Sequence, residues 1–249
     1  MKLIDRNGET KISKGGNLMT IINYTNSKNI DVLFPDTGYI ATNRDYKEFS
    51  VGILKDMYEK TVWGVGYLGG GKYKSGGSKK HVTWRHMLER CYDLKAQEKQ
   101  PTYIDCTVCE EWHNYQIFAE WYDNNYYEVE GELIHLDKDI LFKGNKIYSP
   151  STCIFVPRDI NSLFTKTNAK RGEFPIGVTW HEKTGKYQAG CNNNGELIYL
   201  GLHFTPSEAF NAYKRYKEVL IKQIADKYRD KIPKELYSAL YKYEVEITD

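Results

Sequence analysis

Short runs in which apolar side chains recur with the period of a half-buried strand open the chain. They cover 19–24, 30–34, 39–42 and 46–49, and the turn formers Thr25-Asn26-Ser27-Lys28-Asn29 and Pro35-Asp36-Thr37-Gly38 separate them. The pattern predicts a small antiparallel sheet or barrel. Residues 1–14 are polar and predict a loosely held start. Helical spacing first appears at Trp84, Met87, Leu88 and Cys91, at i, i+3, i+4 and i+7, with Thr83 as the expected cap. After a polar connection over 92–103, a second aromatic helix is expected to carry Tyr115, Phe118, Ala119, Trp121 and Tyr122.

Alternation returns before Lys143. Gly144-Asn145 is a turn signal, Ile154-Phe155-Val156 is a β-branched and aromatic run, and Pro157 suits the opening of a helix. Residues 134–161 therefore read strand, turn, strand, helix start. The clearest pattern follows it. Gly177-Val178-Thr179-Trp180-His181, Lys186-Tyr187-Gln188-Ala189-Gly190-Cys191 and Leu197-Ile198-Tyr199-Leu200-Gly201 are three strands, and Asn193-Asn194-Gly195 is a hairpin turn. Thr205-Pro206-Ser207-Glu208 is a capping box, and the helix beyond it aligns Ala209, Tyr213, Tyr216, Leu220 and Ile224. A short helix over 233–243 is expected to pack on this last unit. The fold class is α+β in three parts: a β-rich module with a Gly/Lys-rich linker over 1–80, a ββα core with preceding helices over 81–165, and a three-stranded sheet with helices over 174–249.

Composition narrows the chemistry. With 41% hydrophobic and 27% charged residues in 249, the chain is globular. No apolar run reaches the length of a membrane span and Met1-Lys2-Leu3-Ile4-Asp5-Arg6 is no signal peptide, so a cytoplasmic location and no membrane partner are expected. Five cysteines then read as reduced thiols. Cys106-x2-Cys109 has ligand spacing but no second close pair, so a structural zinc is not expected. Gly66-x4-Gly71-Lys72 opens like a P-loop. Tyr73 stands where Ser or Thr must follow, and Lys74-Ser75-Gly76-Gly77-Ser78 forbids the required helix, which rejects nucleotide hydrolysis. That segment reads as a flexible linker whose Lys72, Lys74, Lys79 and Lys80 can meet phosphates; Lys166, Lys170 and Arg171 make a second basic linker. The net charge of +2 says little, because local distribution decides binding.

Leu136-Asp137-Lys138-Asp139, Gly144-Asn145 with Tyr148-Ser149-Pro150, Cys153 with Val156-Pro157, and the closing Asn161 resemble the HNH (ββα-metal) endonuclease-like proteins common in bacteriophage genomes. Arg90-Cys91-Tyr92 and Val108-Cys109-Glu110-Glu111-Trp112 resemble the lead-in of the same family. The resemblance covers about 82–165. It implies a divalent metal, Mg²⁺ or Mn²⁺, held by Asp137 and Asn161, with catalysis drawn from Asp137, Lys138, His135 and Asn161. The chain departs from the family at Lys138, where the general-base His belongs, and at Thr152, where an Asn is usual. Lysine is a poor base unless buried, and the sequence gives no sign of burial. On a strand His135, Asp137 and Asp139 share one face, so His135 stays open between a substitute base and no role, and Lys138 on the other face becomes a phosphate contact if the base is lost.

Gly177-Val178-Thr179-Trp180, Gly185-Lys186-Tyr187-Gln188-Ala189, Tyr199-Leu200-Gly201 and Glu208-Ala209 with Tyr213 resemble AP2-type DNA-binding domains over about 174–229. That family lays its sheet in the major groove of double-stranded DNA. The positions implied here are Thr179, Trp180, His181, Lys183, Lys186, Gln188, Asn192 and Asn194, without the arginines usual on that face. Trp180 is open between a DNA contact and a core side chain. Together the resemblances imply either a homing-type HNH endonuclease directed by an AP2-like module, or a DNA-binding protein, regulatory or anti-defence, built on a degenerate HNH fold.

Overall fold

The computed structural model of the chain describes residues 5–164, 173–193 and 195–247. It is a mixed α+β protein that divides into two compact units, Met1–Asn124 and Asn125–Asp249. The division falls inside the 81–165 stretch.

In the first unit β1 (Thr10–Ile12), β2 (Leu18–Asn26), β3 (Asn29–Phe34) and β4 (Tyr39–Arg44) form an antiparallel meander in chain order. Ile30, Val32 and Phe34 alternate onto its buried face, where Met19, Ile21, Ala41 and Phe49 complete the core. Each of these side chains except that of Ala41 contributes about 1.5–3 kcal/mol by leaving water. Two expectations are corrected. The polar start is held from residue 5: β1 pairs with β2, and Gly8 donates to the Ile21 carbonyl at 2.8 Å. Residues 46–49 are not a strand but part of α1 (Tyr46–Ser50). Asp45 and Glu48 close a capping box there, which satisfies amide donors that a strand would have to pair elsewhere.

The glycine-rich segment is not a flexible linker. A Cβ on Gly66 would lie 3.0 Å from Cζ2 of Trp84 and closer to Leu88, and Gly69, at φ +66°, sits against the Asn114 amide. The Gln116 side chain accepts from the Tyr73 amide at 2.9 Å and donates to the Leu68 and Tyr73 carbonyls at 3.1 and 2.9 Å. Small residues are needed there because the backbone runs directly over α2 (Lys79–Tyr92) and the start of α4 (Tyr115–Asn125). Helix α2 buries Trp84, Met87, Leu88 and Cys91 as expected, but Ser78, not Thr83, caps it; the Thr83 hydroxyl donates to the Lys79 carbonyl at 2.9 Å. Between these helices lie α3 (Leu94–Lys99) and the two-residue strand β5 (Thr107–Val108); α4 buries Tyr115, Phe118, Ala119 and Tyr122.

The second unit starts with β6 (Ile134–Asp137), β7 (Ile147–Tyr148), β8 (Ile154–Pro157) and α5 (Arg158–Ser162). It continues with β9 (Val178–His181), β10 (Lys186–Asn193), β11 (Glu196–His203), α6 (Pro206–Lys227) and α7 (Lys234–Lys242). Strands β6 and β8 pair antiparallel, and the later sheet has the order β11-β10-β9. Both halves feed one core, in which Val156 and Ile160 join Val178, Ala189, Cys191 and the inner face of α6. The Tyr228 hydroxyl links the halves through Glu132 at 2.6 Å and Asp159 at 3.3 Å. The Thr205–Glu208 capping box forms as expected.

Helix α7 is fastened to α6 by Asp226, whose Oδ1 accepts from Tyr241 (2.6 Å), Arg229 (2.8 Å) and Tyr237 (2.9 Å). The Tyr241 bond first, then those from Arg229 and Tyr237, pull its carboxyl down to about 2. A carboxylate with a lowered pKa stabilises the fold above its ordinary value and loses that contribution as pH falls through the lowered one. Urea denaturation should therefore register a loss of stability from about pH 4 to about pH 2 that Asp226→Asn makes smaller. An acid limb identical in the variant would show that this carboxylate does not fasten α7.

Candidate nucleic-acid interface

The ββα hairpin holds the first group of expected site residues. His135 pairs with Val156 and Asp137 with Ile154, so both project from one face of β6, opposite buried Leu136. Asp139 does not continue that face. The strand ends at Asp137, because its Oδ1 accepts the amides of Asp139 at 2.9 Å and Ile140 at 2.7 Å and turns the chain. Burial, and after it the charge of Asp139, push the Asp137 carboxyl up to about 6, against the pull of those two amides and of Lys138.

Lys138 corrects the sequence reading. Its side chain is buried, at 7% exposure, with Nζ 3.2 Å from Asp139 Oδ2 and 5.9 Å from the Tyr148 ring centroid. Buried and paired with Asp139, this side chain is not an exposed phosphate contact. The connection around it is closed by side-chain hydrogen bonds. Asn145 donates to the Lys138 and Ile147 carbonyls, both at 2.7 Å, and the Thr152 hydroxyl donates to Ile147 at 2.7 Å while meeting Ser149 at 2.9 Å. Thr152 thus serves the turn. Asn161 lies in α5, directly after β8.

One oxygen of Asp137 is taken by two amides, and Asp139 faces the Lys138 ammonium. Among the described residues, no three His, Cys, Asp or Glu side chains come together as a ligand set. Cys106 is buried, and burial pushes the half-buried Cys109 thiol up.

The second group is brought together. Thr179 pairs directly with Gln188, and His181 with Lys186. Their neighbours Val178 and Ala189 are buried under α6, so strand alternation puts Thr179, His181, Lys186 and Gln188 on the face away from the helix. Register carries Asn192 onto that face past the bulge at Ala189/Gly190. Lys183 is exposed in the turn that joins β9 to β10, where His181 Nδ1 lies 2.8 Å from the Thr184 hydroxyl. Trp180 faces the other way, with Val178, and meets Tyr187 edge-on at 4.9 Å between centroids. Asn194, like Lys166, Lys170 and Arg171, lies outside the described residues. In the first unit, Lys72 and Lys80 each hold Nζ 4.9 Å from the Tyr73 centroid, and Lys80 is paired with Asp123.

Sequence reasoning missed three residues of the outer face. Leu202 lies opposite Gln188, Tyr199 opposite Gly190 and Leu197 opposite Asn192. Leu197 and Tyr199 are 66% and 59% exposed. The signal was present: β11 is apolar at both parities, although one side of the sheet is packed and the other faces water.

A scan of family models, a search of curated proteins and a search of solved structures each return no match. Among the described residues, no helix is long and apolar enough to cross a membrane.

Proposed function

We propose that this chain binds double-stranded DNA by laying the outer face of the β9–β11 sheet into the major groove. In this reading the C-terminal half is AP2-like, and the HNH-like ββα hairpin beside it serves as packing rather than as a nuclease. One observation carries the proposal. The two register pairs Thr179–Gln188 and His181–Lys186, with Asn192, gather hydrogen-bonding side chains on a single exposed sheet face. A groove about 12 Å wide admits a β-ribbon, and these side chains are of the kind that read base edges. Against cleavage stands the ion pair that holds Lys138, in the base position, 3.2 Å from Asp139 Oδ2.

A second reading, phosphodiester hydrolysis by a homing-type HNH nuclease, is favoured by one feature, the common face of His135 and Asp137. A single assay separates the two. The full chain is incubated with a random duplex pool and Mg²⁺ or Mn²⁺. The expected result is retarded, intact duplex in either metal. Strand breaks that disappear in Asp137→Ala would move the protein to the second reading.

A further inference from the structure

Two cross-strand pairs on the outer face repeat one chemical theme. Gln188 lies opposite Leu202, and Asn192, whose Oδ1 also accepts the Gly195 amide at 2.9 Å, lies opposite Leu197. Directly opposed side chains in an antiparallel pair have Cβ atoms about 5 Å apart, so each pair offers an amide and an aliphatic group side by side. In the major groove, an amide pairs bidentately with adenine N6 and N7, and an apolar group meets the thymine C5-methyl. An A·T pair presents both features at one step; a G·C pair presents neither. Tyr199, beside Gly190, extends the apolar surface between the two pairs, and Thr179 adds a methyl and a hydroxyl next to Gln188.

The face is poor in groups that select guanine. Residues 173–204 contain no arginine, the side chain that most often reads guanine. Lys186 has its Nζ over the Phe204 ring, 4.3 Å from the centroid, which directs it toward the strand end. The two amide rows are four residues apart, about 13 Å along extended chain. That is about four base steps at 3.4 Å each.

Resting on the DNA-binding reading above, we infer that the preferred ligand is A·T-rich duplex, recognised in the major groove by paired amide–adenine and aliphatic–thymine contacts about four steps apart. The recognition is chemical, so single-atom changes in the DNA test it. The full chain is used to select duplexes from a random pool. The selected duplex is then rebuilt with deoxyuridine for thymidine, which deletes the methyl, and separately with 7-deazaadenine for adenine, which deletes N7. Selection of A·T-rich sequence is expected, with each replacement weakening binding, by at most about a hundredfold for each amide–adenine pair that loses N7 and by less for each methyl removed. In Leu197→Ala the uracil effect should shrink, and in Gln188→Ala the deazaadenine effect should shrink. Selection of G·C-rich sequence, or A·T selection that survives both replacements and so comes from the minor groove, overturns the inference while leaving DNA binding intact. Failure to retain any duplex at low salt overturns the DNA-binding reading itself, and this inference with it.

Discussion

Gly177→Ala is expected to cost about 2–5 kcal/mol of stability, a large share of the roughly 5–15 kcal/mol that holds a domain together. Two effects combine at this residue. Its φ of +74° is in the left-handed region, where a Cβ costs about 1–2 kcal/mol. The added carbon would also lie 2.7 Å from Cε2 of Tyr213 and closer still to Cδ2 and Cγ, inside the ring that α6 presses onto the start of the sheet. Relieving that overlap means moving a buried tyrosine out of its packing, at about 1–3 kcal/mol. Gly185→Ala is the matched control. It has a φ of +63° but, among the described residues, no atom within 4 Å of the added carbon, so it should show only the backbone cost of about 1–2 kcal/mol. Urea denaturation of both variants reads the difference directly. Equal destabilisation would mean that Tyr213 does not seat against Gly177.

Lys186→Ala combined with Gln188→Ala should weaken binding to a selected duplex by about 1–3 kcal/mol, the worth of one good base contact, here that of Gln188. Random duplex should be affected far less, because phosphate contacts carry no sequence information. Both residues lie on the outer face, so stability should change by no more than about 0.5 kcal/mol per site. Trp180→Ala should behave in the opposite way. Trp180 meets Tyr187 edge-on on the other face, so its removal should lower stability more than it alters sequence preference. If the double variant is weakened equally on selected and random duplex, these side chains do not read bases. If Trp180→Ala alone abolishes preference, the face assignment is reversed.

What could be read from the sequence was local. The capping box at Thr205 and Glu208, the buried face of α2 and the hairpin ahead of Gly195 all announce themselves within a few residues, and the structure has each of them. Asp45-x-x-Glu48 was an equally local signal. Tyr46 and Phe49 stand three apart, the spacing of one helix face, but a run this short does not by itself separate strand from helix. The remaining differences depend on distant parts of the chain. Glycines that let the backbone close on Trp84 and Asn114 have the same composition as glycines that let a linker swing. The burial of Lys138 depends on a turn closed by Asn145 and on the Tyr148 ring ten residues downstream. The outer sheet face was half legible. The resemblance to AP2-type domains pointed to its polar members on β9 and β10, but the apolar members on β11 emerge only once the bulge at Ala189/Gly190 fixes the register.

Titration of a labelled duplex with the wild-type chain and the Lys186/Gln188 double alanine variant, side by side at 50 and 200 mM salt, tests the central claim most directly. Saturable binding is expected for the wild type, falling as salt rises because counterions are released from the phosphates, with the variant weaker on the selected duplex at both salts. Absence of saturable binding at 50 mM, or wild-type and variant curves that superimpose on the selected duplex, would contradict it.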